Sequence, residues 1–175
     1  MVIVRRYLVA LVSIMAAVLL TGRLAAHTDT LLWPKQPPAF FAVTVPPNWA
    51  VKQDDIGLAE YSQDECCSVY VSGANNAKYA VSSTNDLAAE MAKALGMTGF
   101  TGPEPATISG VPAQSYSGMW QSQSGSTPVD TKMLIVRLAP GALVFVRIMA
   151  PKGITPAQQS ALDQAVAGVA LLRNH

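Results

Sequence analysis

The chain has 175 residues, 50% of them hydrophobic, with 12 Lys and Arg against 11 Asp and Glu for a net charge of +1. So even a balance, with 13% charged residues, excludes the basic surface that nucleic acid or an anionic membrane requires. Two cysteines are too few for a disulfide framework, and the length suits a single domain whose core folds without one.

In chain order, Arg5 and Arg6 give a basic start, Tyr7 to Leu20 is apolar apart from Ser13, and Thr21 to Ala26 is a short, more polar exit. That layout predicts a cleavable secretory signal peptide over residues 1–26, and hence a periplasmic or secreted mature chain. The apolar run is shorter than the roughly 18 to 20 residues that span a bilayer, which argues against a retained anchor. Arg5-Arg6 before Tyr7-Leu8-Val9 also fits a loose twin-arginine signal. The strongly apolar stretch, with no cofactor motif after it, favours the general secretion route. No cysteine near the cleavage region offers a site for lipid attachment. Cleavage removes Arg5, Arg6 and Arg23 but no acid, leaving a mature net charge of about −2.

Residues 27–175 are expected to form one domain. His27 to Pro38 reads as a proline-punctuated lead-in. Phe40 to Val45 reads as a strand stopped by Pro46-Pro47, and Trp49 to Lys52, Gly57 to Ser62 and Ser68 to Ser72 as further short strands. Ser82 to Leu95 is a helix capped by Ser83, Thr84 or Asn85 and ended by Gly96. Its apolar stripe is Leu87, Ala88, Met91 and Leu95. A serine-rich strand carries Tyr116 and Trp120 on one face, and Ser122 to Pro128 is a polar loop. Val129 to Leu138, the turn Ala139-Pro140-Gly141 and Ala142 to Ala150 form the strongest hairpin. Met133, Ile135, Val144, Val146 and Ile148 are expected on one face; Leu134, Val136, Leu138, Leu143, Phe145 and Met149 go to the other. With both faces apolar, these are central strands covered on both sides. A last helix opens at Thr155-Pro156, with a stripe of Ala161, Leu162, Ala165, Val166, Val169 and Leu172. The predicted class is α/β (α+β): a mostly antiparallel central sheet with helices packed on its faces.

The succession of VPPNW (Val45 to Trp49), short strands, the helix Leu87 to Leu95, TISGVPAQSYSGMW (Thr107 to Trp120), a long hairpin and a C-terminal amphipathic helix resembles the PsbP-like fold. That fold is shared by an extrinsic photosystem subunit, a Ran-binding protein and small bacterial envelope proteins of the DcrB type. The resemblance covers nearly the whole mature chain and implies a protein-binding or assembly factor in place of an enzyme. Some bacterial relatives act as chaperones or as immunity-type inhibitors of delivered toxins. The chain departs from the DcrB type in lacking an acylated cysteine, and no site residue transfers from the family.

Chemistry-bearing residues are sparse. His27 and His175 are the only histidines, and neither is expected to act as a held general base. No G-x-S-x-G, Ser-x-x-Lys, H-E-x-x-H, Walker loop or G-x-G-x-x-G occurs. No catalytic residue, metal ligand or cofactor is therefore assigned. Asp54, Asp55, Glu60, Asp64 and Glu65 read as a solvated acidic edge, with a calcium site or a surface for a basic partner as alternatives. Cys66 and Cys67 are adjacent; a bond between them needs the chain to turn at Asp64-Glu65. A strained vicinal disulfide stands first, with packed thiols, intermolecular pairing and a soft-metal site as the other readings. Aromatic anchors beside a polar loop suit protein contacts, so Tyr116, Trp120, Ser122, Gln123, Ser124, Gly125, Ser126 and Thr127 are the candidate partner-binding surface.

The expected function is an exported, non-enzymatic domain that binds another envelope protein or a toxin, as an assembly or stress factor or an immunity-type inhibitor. Carriage of a small apolar ligand between the sheet and the helix Ser82 to Leu95 is the second reading, with Met91, Trp120 and Phe145 as its expected lining. An unrecognised hydrolase is the third.

Overall fold

The computed structural model describes residues 29–35, 38–62, 64–121 and 128–172. The signal-peptide segment, both histidines and the loop Ser122 to Thr127 lie outside them.

Ten strands and three helices occur among these residues. The strands are β1 (Thr30–Trp33), β2 (Phe41–Thr44), β3 (Ala50–Gln53), β4 (Gly57–Tyr61), β5 (Ser68–Asn75), β6 (Thr98–Ile108), β7 (Val111–Trp120), β8 (Val129–Ala139), β9 (Ala142–Pro151) and β10 (Val169–Leu171). The helices are α1 (Lys78–Val81), α2 (Thr84–Leu95) and α3 (Pro156–Ala167). A seven-stranded sheet runs β3-β4-β5-β9-β8-β7-β6, and a three-stranded sheet runs β1-β2-β10. Every pairing in both is antiparallel.

The hairpin β8–β9 lies beside the middle of the large sheet, as its two apolar faces require. Its register differs by one residue from the sequence expectation. Ala139 pairs with Ala142 at the turn, but Arg137 then pairs with Leu143, so Leu138 is an extra, bulged residue. A one-residue shift regroups every side chain beyond it. Leu134, Val136, Val144 and Val146 therefore share one core with Val69 and Val71, while Met133, Ile135 and Leu143 share the other with Tyr116.

The two faces are covered by different elements. On the first, the small sheet and α3 close a core containing Trp33, Phe41, Val43, Leu162, Ala165 and Val169. Trp33 stacks on Phe41 with centroids 5.5 Å apart and planes 10° off parallel. Gly73 of β5 admits the rings of Trp33 and Phe40, because a Cβ there would fall inside contact distance of both. On the second face α2 packs against β6, β7 and β8 through Leu87, Ala88 and Ala92.

Helix ends follow local chemistry. The Ser83 side chain accepts from Asp86 N–H, and Gly96 closes α2 in the left-handed region at φ 67°. Thr155 and Gln158 form a reciprocal capping box on α3, with Pro156 at its first position. The stripe expected to continue to Leu172 stops earlier, since α3 ends at Ala167 and Val169 enters β10 beside β2. Gly168 makes the switch, because any Cβ there would collide with the Thr44 carbonyl.

Two strands besides β10 escape the sequence reading. Thr30–Trp33 lies within the proline-punctuated lead-in, and β6 contains Pro103 and Pro105. Proline interrupts a ladder only where an N–H must donate, and β6 occupies a sheet edge with two register shifts.

Candidate functional site

Coverage of the second face is incomplete for a geometric reason. Six inter-strand gaps of about 4.8 Å make the sheet about 29 Å across, whereas one helix is about 10 Å wide. With α2 over β6–β8 and only the single turn α1 reaching β9, much of β5 and β9 on that face is left beside α2. The result is an open cleft of about 500 Å³ between α2, α1 and the sheet.

Leu87, Met91 and Leu95 form its helical wall, and Met133 and Phe145 form its floor. Ile56, 66% exposed on the β3–β4 turn, guards one end, and Tyr79 of α1 the other. Arg137 anchors that second end: its guanidinium donates to the Tyr79 and Ser82 carbonyls, fixing the α1–α2 link above β8. The Tyr116 hydroxyl, donating to Asn85 Oδ1 at 2.6 Å, holds the start of α2 to β7.

The polar content of the cleft is concentrated on Tyr70 and Arg147, which are paired across β5 and β9. The guanidinium carbon lies 5.3 Å from the Tyr70 ring centroid, a cation–π contact. Arg147 Nε is buried with no hydrogen-bond partner. Burial lowers the Arg147 pKa, opposed by Tyr70 and then Tyr61. Burial raises the Tyr70 pKa, reinforced by Asp54 and opposed by Arg147. Arginine stays cationic through such shifts. Glu90, exposed on α2, is the acid at the rim.

The residues singled out from sequence fall differently. Tyr116 is 2% exposed and stacks on Phe100 in the core, so it is not a surface anchor. Trp120 is half-buried and does not line the cleft, while Met91 and Phe145 do. Ser122, Gln123, Ser124, Gly125, Ser126 and Thr127 lie outside the described residues.

Asp64-Glu65 does turn the chain before the cysteines, with Glu65 at φ 53°. Asp64 Oδ1 accepts from Ser62 Oγ at 2.6 Å and from Cys66 N–H at 3.2 Å, and Oδ2 from Gln158 at 2.7 Å. Those hydrogen bonds, Ser62 first, hold the Asp64 carboxyl well below its usual range. Cys66 and Cys67 carry no bond between them in this structure, and their sulfurs lie 2.7 Å apart. Burial, then the Cys66 contact and the Asp64 charge, push the Cys67 thiol up to about 12. That is a packed thiol and not an activated nucleophile.

The acidic edge requires a correction. Asp54, Asp55, Asp64 and Glu65 are exposed, but Glu60 is 0% exposed and neither of its carboxyl oxygens has a hydrogen-bond partner. It sits between Val51 and Val69 on the face away from the cleft, where burial pushes its pKa up to about 8. Glu60 is the one fully buried carboxylate among the described residues, so no acid–base dyad forms there. No group of three metal-binding side chains occurs among the described residues either.

Sequence reasoning missed Arg147 and Tyr70. The available signal was a lone arginine inside ALVFVRIMA, a strand already expected to be covered on both faces.

No family model matches the chain, and no curated protein matches it in sequence. Solved structures do. PsbP (CyanoP) from Synechocystis sp. PCC 6803 superposes with a TM-score of 0.56 at 8% identity, covering 86% of this chain and 96% of that one. The protein Mog1 gives 0.52 at 12% identity, covering 85% and 97%. A protein of Bacteroides thetaiotaomicron VPI-5482 gives 0.53 at 16% identity over 84% of this chain, which spans about half (49%) of that protein's length. These likenesses, together with the sheet order and its covering helices, establish a PsbP-like fold.

Proposed function

We propose that the chain is a non-catalytic binding domain of the cell envelope, with the cleft between α2 and the large sheet as its binding site. The observation that carries this reading is the apolar cleft of about 500 Å³. That volume lies in the range of small-molecule sites, and apolar walls with a few convergent polar groups are their usual lining.

The polar groups lining the site are the Arg147 cation, the Tyr70 and Tyr79 phenols, the Ser72 hydroxyl and, at the rim, the Glu90 carboxylate. The one orphaned carboxyl, Glu60, faces the opposite core. Export rests on the basic, apolar and then more polar layout of residues 1–26, which predicts delivery outside the cytoplasm. No helix of the described residues is long and apolar enough to cross a membrane. Carriage of a small ligand is favoured over the capture of an envelope protein or toxin through the aromatic strand, because Tyr116 is spent in the core.

The test is fluorescence titration with N-phenylnaphthylamine, a neutral apolar dye, against the protein and its Ala94→Trp variant. Ala94 is exposed on the cleft rim, so tryptophan there fills the opening without entering the core. Saturable binding to the native chain, reduced at least about tenfold in a folded Ala94→Trp variant, supports the reading. Equal binding by both proteins, or none by either, removes it.

A further inference from the structure

We infer that the cleft takes an amphipathic carboxylic acid, its carboxylate on Arg147 and its hydrocarbon along Leu87, Met91 and Phe145. This rests on the binding reading above and names the ligand class for the same site.

The argument starts from a charge without a counter-charge. Arg147 is the one cation lining the cleft. Among the described residues no carboxylate neutralises it, and the group against it is the Tyr70 ring, in a cation–π contact. Its guanidinium carbon lies over the Tyr70 ring, and Nε is sealed without a partner. A part-buried guanidinium left in this state is costly, and an anion delivered by a ligand removes that cost.

The guanidinium fork matches a carboxylate in geometry as well as charge. A single cation, with the exposed Glu90 carboxylate also lining the cleft, suits one negative charge and disfavours a polyanion. The remaining lining specifies the rest of the ligand. Leu87 and Met91 of α2 oppose Phe145 and Met133 of the sheet, so the body must be apolar to dehydrate these walls.

The experiment is calorimetric titration of the full chain at neutral pH with octanoate, octanol and octylamine, which share a hydrocarbon body and differ in head-group charge. Arg147→Met and Arg147→Lys are measured alongside, with circular dichroism confirming that each is folded. Octanoate is expected to bind roughly tenfold to hundredfold more tightly than octanol, and octylamine most weakly. In Arg147→Met the octanoate preference disappears, and in Arg147→Lys part of it returns. Equal binding of the three probes, or an octanoate preference that survives Arg147→Met, overturns the carboxylate assignment while leaving the cleft as an apolar site. Binding of none of the three to the folded native chain overturns both.

Discussion

The Arg147 guanidinium carbon lies 5.3 Å from the centroid of the Tyr70 ring, inside a cleft where Arg147 Nε has no hydrogen-bond partner. The aromatic face offsets part of the loss of water around this charge. Such contacts contribute about 0.5–2 kcal/mol, depending on how dry they are. Tyr70→Leu should therefore destabilise the unliganded protein by about 1–2 kcal/mol, while Tyr70→Phe, which keeps the ring, should cost less than about 1 kcal/mol. Chemical denaturation of both variants checks the order; equal losses would mean that the ring's π face contributes nothing.

Glu60 makes stability fall as pH rises. Its carboxyl has an ordinary value of 4.5 and is raised to about 8 by burial, so the fold holds a proton that the unfolded chain gives up between those values. The folded state binds more protons throughout that window, and stability must decline across it. Below about 4.5 both states are protonated and above about 8 both are ionised, so the slope vanishes outside. Melting temperature should drop by roughly 5 °C or more between about pH 5 and about pH 8 from this group alone. Glu60→Gln removes the titration. A variant whose melting profile keeps the native slope would show that Glu60 is not held neutral.

Gly73 is required by space. Trp33 and Phe40 occupy the volume that a Cβ would take, joining the small sheet to β5. Gly73→Ala should cost about 1–3 kcal/mol, as overpacking in a close-packed interior does. A shift in tryptophan emission should accompany the loss, since Trp33 must move. Unchanged stability would mean that the two sheets are not in contact there.

The cysteine turn is pinned from α3. Gln158 accepts from Thr155 N–H to complete the capping box and donates to Asp64 Oδ2, so one side chain serves both. Cys67 is 2% exposed with its thiol pushed up to about 12, whereas Cys66 is half-buried. Mild alkylation of the reduced, folded chain should modify Cys66 alone. Gln158→Ala should speed that reaction and lower stability by about 1 kcal/mol. Intact mass followed by peptide mapping decides it; equal labelling of both cysteines contradicts the packing described. Omitting the reductant in the same experiment tests the vicinal disulfide expected for an exported chain.

Legibility from sequence followed the range of the interaction. Ser83 was one of three N-cap candidates, while Gly96 and the Thr155-Pro156 start are decided within a few residues and were readable. So was the covered hairpin, because an apolar run on both faces has one solution in a sheet. Its register was not, since nothing local marks Leu138 as the bulged residue. The strand at Pro103 and Pro105 was hidden because prolines exclude central positions, and only the assembled sheet puts β6 at an edge. Val169 continued the spacing of α3, yet pairing with Val43 of β2 decided its conformation. Glu60 was read as exposed on chemistry alone, and the cleft arises from the mismatch between one helix and seven strands. Both depend on distant segments meeting.

Methionine methyl NMR during titration with octanoate tests the binding site most directly. Met91 and Met133 line the cleft, while Met119 is 37% exposed on β7 away from it. Saturable shifts of the Met91 and Met133 signals, with Met119 unmoved, are the predicted result. Shifts confined to Met119, or unchanged Met91 and Met133 signals at millimolar octanoate, would contradict it.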